Sequence, residues 1–315
     1  MAVILPVSAI VPTRERAVVF DRMLRSLAAQ SAQPLEMIVV DASDGQETAK
    51  MCEGKIEGLA TRIEYHRADE AGAATQRNQA IAHATQGAVL FLDDDIVFEP
   101  DCIARLWQAL ESDARMGGVN AMITNQRYFP PGQLSRTLFR VLDGRAQESY
   151  AGRCIGPAFN LLPEDREDLP EVVPVEWLNT TCTLYRREAL PEPLFDSHFA
   201  GYSLMEDLAL SLHVGRKWKL ANARLAKIFH DSQPGAHKDN AAAMSRMELV
   251  NRHYVMTRVL GRQSFSDYLK LGLFETFGIV TSLTSIGAWR TLPAVLLGKL
   301  AAMGSVLTNR DSSRA

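Results

Sequence analysis

Three consecutive carboxylates, Asp93, Asp94 and Asp95, follow the apolar run Ala88–Leu92 and precede a second apolar stretch that begins at Ile96. In an extended segment residues i and i+2 point the same way, so Asp93 and Asp95 share one side while Asp94 faces the other. Two hard oxygen donors on one side suit Mg2+ or Mn2+, which take carboxylates together with water and substrate phosphates. Asp also caps helices and solvates turns, so the triplet by itself leaves that reading open. Further groups sit where they could join such chemistry. Pro12, Thr13 and Arg14 follow the run Val7–Val11, and Asp41 closes the run that precedes it. Arg77 lies in AGAATQRNQAI, near a helix start, where a cation would help neutralise phosphates. Glu206 and Asp207 open a helix on which Leu204, Leu208 and Leu212 form an apolar stripe; the stripe would anchor in the core and leave the pair at a cleft. Carboxylates in a first helical turn are also ordinary partners of the helix dipole. His230 ends the run RLAKIFHD, and a neutral imidazole can join two carboxylates on Mn2+ or hydrogen-bond at a sheet edge.

The elements that must position these groups alternate between strand and helix. VSAIV and LEMIVVD read as buried strands, RIEYHRA as a weaker third, AVLFLD as a fourth and GGVNAMIT as a fifth. Between them, Val19, Phe20, Met23, Leu24 and Leu27 recur at helical spacing, ATQRNQAIAHATQG reads as a helix closed by Gly87, and Pro100 opens a helix carrying Ile103, Leu106, Trp107 and Leu110. This alternation implies βαβ crossovers and an α/β fold with a mostly parallel sheet covered on both faces. Ligands bind such sheets beyond the carboxyl ends of the strands, where Thr13, Asp41 and Asp93–Asp95 all fall.

Composition narrows the class. The 315-residue chain holds 34 Lys and Arg against 37 Asp and Glu, so no basic excess points to nucleic acid. Its four cysteines are far apart with no C-x-x-C pair, which fits a reducing cytoplasm. The opening apolar run is short, lacks preceding basic residues and is broken by Pro6, which argues against a signal peptide. There is neither G-x-G-x-x-G after the first strand nor G-x-x-x-x-G-K-[ST], so a Rossmann dehydrogenase and a P-loop NTPase lose their main mechanical feature.

In order and spacing, VSAIVPTRER, EMIVVDASD, AGAATQRNQAI and AVLFLDDDIVFEPD resemble the donor half of family-2 inverting glycosyltransferases, which share the GT-A fold. The resemblance implies that Pro12, Thr13 and Arg14 lie against the nucleotide base and ribose, that Asp41 hydrogen-bonds the base and that Arg77 approaches base or phosphates. It makes Asp93 and Asp95 metal ligands and turns Asp94 toward the ribose. VEWLNTTCTLYRREAL and the segment Phe195–Lys217 resemble the family's acceptor segment and E-D helix. One of Glu206 and Asp207 is then the catalytic base, Asp207 first, and His230 completes the metal site. Trp177 and Asn179 are candidates for the acceptor pocket, although a buried Trp serves a core equally well. The implied activity is metal-assisted transfer of one sugar from a nucleotide-sugar donor to a hydroxyl on a glycan or lipid-linked acceptor. Relatives with these motifs carry hexoses, N-acetylhexosamines, rhamnose and galactofuranose. No Q-x-x-R-W segment is present, which favours a single-sugar transferase over a polymerase.

Residues 1–238 are expected to form the catalytic domain and 239–315 a helical extension for packing, oligomerisation or contact with a membrane surface. Asn125–Pro174 reads as loops that set acceptor choice. The charge-free stretch Thr276–Trp289 falls short of the ~20 residues that span a bilayer, so residues 265–307 suggest peripheral contact at the cytoplasmic face. Two other classes share parts of this pattern. A nucleotidyltransferase would use a Gly-rich basic loop where this chain has PTRERAVVF, and a non-catalytic nucleotide-sugar binding module would need no base.

Overall fold

A computed structural model describes residues 2–233, 240–283 and 289–307; His237, residues 284–288 and the tail from 308 lie outside the described residues. The chain forms two compact units, the first from Met1–Tyr128 and Leu162–Gln233, the second from Phe129–Leu161 and Pro234–Ala315. This division does not follow a single break near residue 238, because 129–161 groups with the C-terminal segment.

In the first unit the chain runs β1 (Val3–Thr13), α1 (Ala17–Ala28), β2 (Ala32–Asp41), α2 (Glu47–Glu53), β3 (Arg62–Arg67), α3 (Ala73–Ile81), β4 (Ala88–Leu92), β5 (Ile96–Phe98), α4 (Cys102–Glu111) and β6 (Met116–Ile123). It passes to the second unit as α5 (Gln133–Asp143), β7 (Cys154–Ile155) and β8 (Phe159–Asn160), then returns as β9 (Val172–Pro174), β10 (Cys182–Arg186), α6 (Glu206–Val214) and β11 (Lys219–His230). Helices α7 (Ala241–Tyr254), α8 (Phe265–Ser282) and α9 (Leu292–Leu307) complete the second unit.

The first unit is built on a nine-stranded sheet ordered β3-β2-β1-β4-β10-β6-β11-β5, with β9 also paired to β11. β2 pairs in parallel with β1 and β3, β1 with β4, and β6 with β11; β10, β5 and β9 run against their neighbours. The central parallel strands are largely apolar because helices cover both faces: every residue of β4 is buried, and Phe20, Met23, Leu24 and Leu27 of α1 are fully buried against the sheet, whereas the edge strand β3 is polar and half-buried. A buried carboxylate locks the far end of this layer. Glu36 accepts from Ser8 Oγ at 2.7 Å, from the Thr85 amide at 2.8 Å and from Arg62 at 2.6 Å, so each acceptor oxygen has a partner in place of water.

Several local readings change. Helix α3 ends at Ile81 rather than at Gly87. The stretch Asn125–Pro174 is not simply loop: it holds α5, whose Leu138, Phe139 and Leu142 are buried, together with the β7–β8 ribbon and β9. The Pro130-Pro131-Gly132 entry and the Gly144 exit are helix boundary signals as much as loop signals, and they masked the short amphipathic helix between them. All four cysteines are free, and burial pushes the Cys52 thiol up to about 12. No helix among the described residues is long and apolar enough to cross a membrane.

Candidate active site

The titratable groups singled out above all sit in the first unit: Arg14, Asp41, the three aspartates and His230 at strand ends, Arg77 on α3, and Glu206 and Asp207 at the start of α6. The turn from β4 into β5 carries the three aspartates, so Asp93 and Asp95 come together by a turn rather than by strict strand alternation. β5 runs antiparallel to β11 with Ile96 opposite His230, and this register sets the imidazole beside Asp95. His230 Nε2 lies 3.0 Å from Asp95 Oδ1, and one donor atom from each of Asp93, Asp95 and His230 falls within 4.8 Å of the others. Asn125 fixes the backbone at this point: its Oδ1 accepts from the His230 amide at 3.1 Å and its Nδ2 donates to the His230 carbonyl at 2.8 Å. Two carboxylates and an imidazole in such reach are a donor set that fits Mn2+ or Mg2+.

Cations surround this cluster. Arg77, near the middle of α3 rather than at its start, is buried and donates to Asp93 at 2.8 Å and to Glu206 at 3.3 Å. Arg16, which the motif reading passed over, reaches Asp94 at 3.1 Å and Asp95 at 3.3 Å. Burial would raise the Asp95 pKa, but the His230 contact, the Gln233 amide and Arg16 outweigh it and hold the group below its ordinary value. Asp94 differs. Its carboxylate is buried and turned inward, accepting from Thr13 Oγ1 at 2.7 Å and from Arg16, rather than standing open toward a ribose. Burial pushes it up to about 6 despite those donors.

The nucleotide-side candidates are equally committed within the protein. Asp41 is fully buried, accepting from the Ser43 amide at 2.9 Å, from Ser43 Oγ and from Tyr65 Oη at 3.1 Å. Pro12 and Thr13 are buried and Arg14 is exposed at the end of β1. Gln76 ties α3 to the sheet by donating to the Thr13 and Val40 carbonyls at 2.9 and 2.7 Å, which fixes the helix that carries Arg77.

Glu206 and Asp207 form the first turn of α6, after Met205 in a left-handed conformation at φ 71°. Such a conformation costs a non-glycine residue about 1–2 kcal/mol and persists where its surroundings enforce it. Here Gly72, at the start of α3, packs so closely on Gly201 that a Cβ would lie 3.1 Å from the Gly201 amide nitrogen. The two loops therefore bring Arg77 and Glu206 together. The anchoring face of α6 is Leu208, Leu210, Ser211 and Val214; Leu204 precedes the helix and Leu212 is half-buried, so the stripe differs from the one expected. Burial first, and then the neighbouring Asp207 charge, drive the Glu206 carboxyl upward; burial does the same to Asp207. Glu206 is buried on Arg77, whereas Asp207 is half-buried and has no arginine at hydrogen-bond distance among the described contacts. Trp177 and Asn179 are both buried, and Asn179 lines a small cavity with Ala121, Met122, Ile123, Gln126, Leu162 and Pro163.

Comparison with known proteins agrees with this architecture. The sequence matches the family described as "Glycosyl transferase family 2" over residues 8–192, more than half of the chain. Curated relatives from Mycobacterium bovis and Mycobacterium tuberculosis, each described as a PGL/p-HBAD biosynthesis glycosyltransferase, are 31% identical over 138 residues, covering 42% of this chain and 54% of theirs. The chain thus spans about half the length of those relatives. Among solved structures, a mannosyltransferase from Pyrobaculum calidifontis in complex with GDP-Man and Mn2+ aligns with TM-score 0.52 and 14% identity over 97% of this chain and 88% of that one. Residues 1–349 of S. aureus TarS with UDP-GlcNAc align with TM-score 0.51 and 17% identity, over 93% of this chain and 79% of that one. At these identities the likeness is one of fold.

Proposed function

The chain belongs to glycosyl transferase family 2, and we propose that it is an inverting, metal-assisted transferase that moves one sugar from a nucleoside-diphosphate sugar to a hydroxyl of a glycan or lipid-linked acceptor. The observation that carries this reading is one cluster at the strand ends: Asp93, Asp95 and His230 meet, and Arg77 links Asp93 to the Glu206–Asp207 turn. Asp93, Asp95 and His230 would hold Mn2+ or Mg2+, and the bound ion would act as Lewis acid on the leaving diphosphate.

The protein's own groups do the rest. Asp207 takes the proton of the acceptor hydroxyl as that oxygen bonds to the anomeric carbon; the bond from that carbon to the diphosphate oxygen breaks on the opposite face. Its elevated pKa suits a base, because a carboxylate that titrates closer to neutrality accepts a proton more readily than a free one. Glu206, held on Arg77, orients that arginine instead. Arg77 and Arg16 supply positive charge beside the leaving group in a buried setting, where charge interacts more strongly than in water. Asp41 and Tyr65 shape the base pocket, Thr13 and Asp94 hold Arg16 toward it, and Pro12 and Arg14 flank the nucleotide. Trp177 and Asn179 serve the acceptor side. The test is transfer by Asp207→Asn: sugar transfer should fall by at least ~100-fold while binding of nucleoside diphosphate persists. Near-normal turnover would remove Asp207 from the role of base.

We further propose that the second unit touches a membrane surface at the cytoplasmic face, which would hold the chain on the membrane that carries a lipid-linked acceptor. Two of its helices carry an exposed apolar face. Arg252, which is buried, and Glu275 and Lys299, which are half-buried, form an ion cluster between α7, α8 and α9, while Leu269 and Leu273 of α8 and Leu297 and Leu300 of α9 face outward, Leu269 64% exposed and Leu297 65% exposed. Exposed apolar helix faces of this kind suit contact with an apolar surface rather than water. Flotation with anionic vesicles should carry the intact chain upward; a chain that stays at the bottom would contradict surface attachment.

A further inference from the structure

We propose that Glu64, His66 and His83 form a second cation site, one that takes an imidazole-preferring divalent ion of the Zn2+ class. β3 is an edge strand of the sheet, and Glu64 and His66, two residues apart, lie on one face of it, while Tyr65 between them points to the other face and donates to Asp41 at 3.1 Å. His83 follows the last turn of α3, its amide bonded to the Ala80 carbonyl at 3.0 Å, and stacks on His66 with ring centroids 3.8 Å apart.

Three ligand atoms converge. His66 Nε2 lies 2.8 Å and His83 Nδ1 3.8 Å from the same oxygen, Glu64 Oε1, and the three donor atoms fall within 4.8 Å of one another. A tetrahedral ion with bonds of about 2.0–2.1 Å sets its ligand atoms roughly 3.3 Å apart, a value between the two observed distances. The other carboxylate oxygen, Glu64 Oε2, is held by Arg62 at 3.3 Å, which orients the first oxygen toward the imidazoles. Outer-shell anchoring of this kind is what fixes a ligating carboxylate. His83 is exposed and the other two are half-buried, so the ion can enter from solvent and keep water as a fourth ligand.

Ligand chemistry separates this site from the strand-end cluster. Two imidazoles and one carboxylate favour Zn2+, Co2+ or Ni2+; two carboxylates and one imidazole suit Mn2+ or Mg2+. Its place in the fold gives it a role. The ion would tie β3, which presents Tyr65 to Asp41, to the turn leaving α3, which presents Gln76 and Arg77. It would act as a brace behind the strand-end groups, independent of whatever donor they bind.

The test uses the full-length chain, stripped of metal and titrated with Zn2+ in excess Mg2+, by calorimetry, with Co2+ absorption as a second readout. The wild type and Asp95→Ala should each bind one Zn2+ equivalent at this site. His66→Ala and His83→Ala should each weaken that binding at least tenfold while the metal-free melting temperature of the exposed-site variant His83→Ala stays unchanged. An absence of Zn2+ uptake by the wild type, wild-type binding by either histidine variant, or loss of this equivalent in Asp95→Ala overturns the proposal.

Discussion

The two compact units handle charge in opposite ways. In the first, the sheet interior is apolar and the candidate carboxylates collect at its rim, Asp41 and Asp93–Asp95 where strands end and Glu206–Asp207 at the start of α6. In the second, an ion cluster sits beside two small apolar cores: Arg252, its side chain 6% exposed, touches Glu248, Glu275, the Ala158 carbonyl and the face of Phe274, while Leu269, Leu297 and Leu300 lie on the outside. The contrast separates charges that the proposed function uses for chemistry from charges that hold helices together. Removing Asp93, Asp95 or Asp207 should damage turnover more than the fold, whereas the buried Asp41 and Asp94 also hold Tyr65, Ser43, Thr13 and Arg16 in place. Removing a carboxylate of the second kind should damage the fold.

The largest expected effect is on catalysis. Asp207→Asn should lower transfer by about 10²–10⁴-fold, and Glu206→Gln, which leaves the base in place, should cost less. A larger loss for Glu206→Gln in steady-state transfer assays would exchange their roles. In the same assays the wild type should lose activity on the acid side well above the ordinary carboxylate value of about 3.9, because burial pushes Asp207 upward and protonation removes the base.

Next in size is the architectural charge. Glu275→Leu takes the carboxylate from Lys299 and from Arg252 Nε, although Arg252 keeps Glu248 and the Ala158 carbonyl, so the expected loss is about 1–3 kcal/mol. Chemical denaturation should show that loss; an unchanged midpoint would mean that the cluster is solvated in solution. By contrast, Leu297→Glu with Leu300→Glu alters only exposed positions, so stability should move by no more than ~0.5 kcal/mol per site while vesicle flotation is lost.

The smallest effect concerns Glu36. Burial would raise its pKa, but Ser8, Thr85 and Arg62 together hold it below the ordinary value. A carboxylate depressed in the folded state contributes stability that is present above the unfolded value of about 4.3 and is lost as pH falls through the folded one. Denaturation of Glu36→Gln should therefore differ most from the wild type at neutral pH, with the gap closing as pH falls below about 4. A gap constant with pH would contradict the assignment.

Much of the first unit is legible in the sequence because its signals are local. Apolar runs ending in a carboxylate marked β2 and β4, and the spacing of Phe20, Met23, Leu24 and Leu27 marked α1. The sheet and helix layers, the GT-A architecture and the family follow from those elements in order. What stayed hidden depends on register and on turns. Arg16 sits one turn beyond the PTR motif, and nothing local says that it, rather than Arg14, faces the aspartates; Glu15 at φ 55° redirects the chain there. Asp94 turns inward because Thr13 and Arg16 claim its oxygens across 81 and 78 residues of sequence, a pairing invisible to strand alternation. The His66–His83 stack joins a strand to a turn 17 residues later through the crossover of α3, and α5 was obscured by its flanking prolines and glycines.

The central claim is that Asp93, Asp95 and His230 hold a divalent ion on the donor's diphosphate. Calorimetric titration of the full chain with UDP and with GDP, in Mn2+ and again after chelation, tests it most directly. The expected result is binding of at least one of the two in Mn2+, lost on chelation and lost in Asp95→Ala. Equal affinity with and without Mn2+, or wild-type affinity in Asp95→Ala, would contradict it.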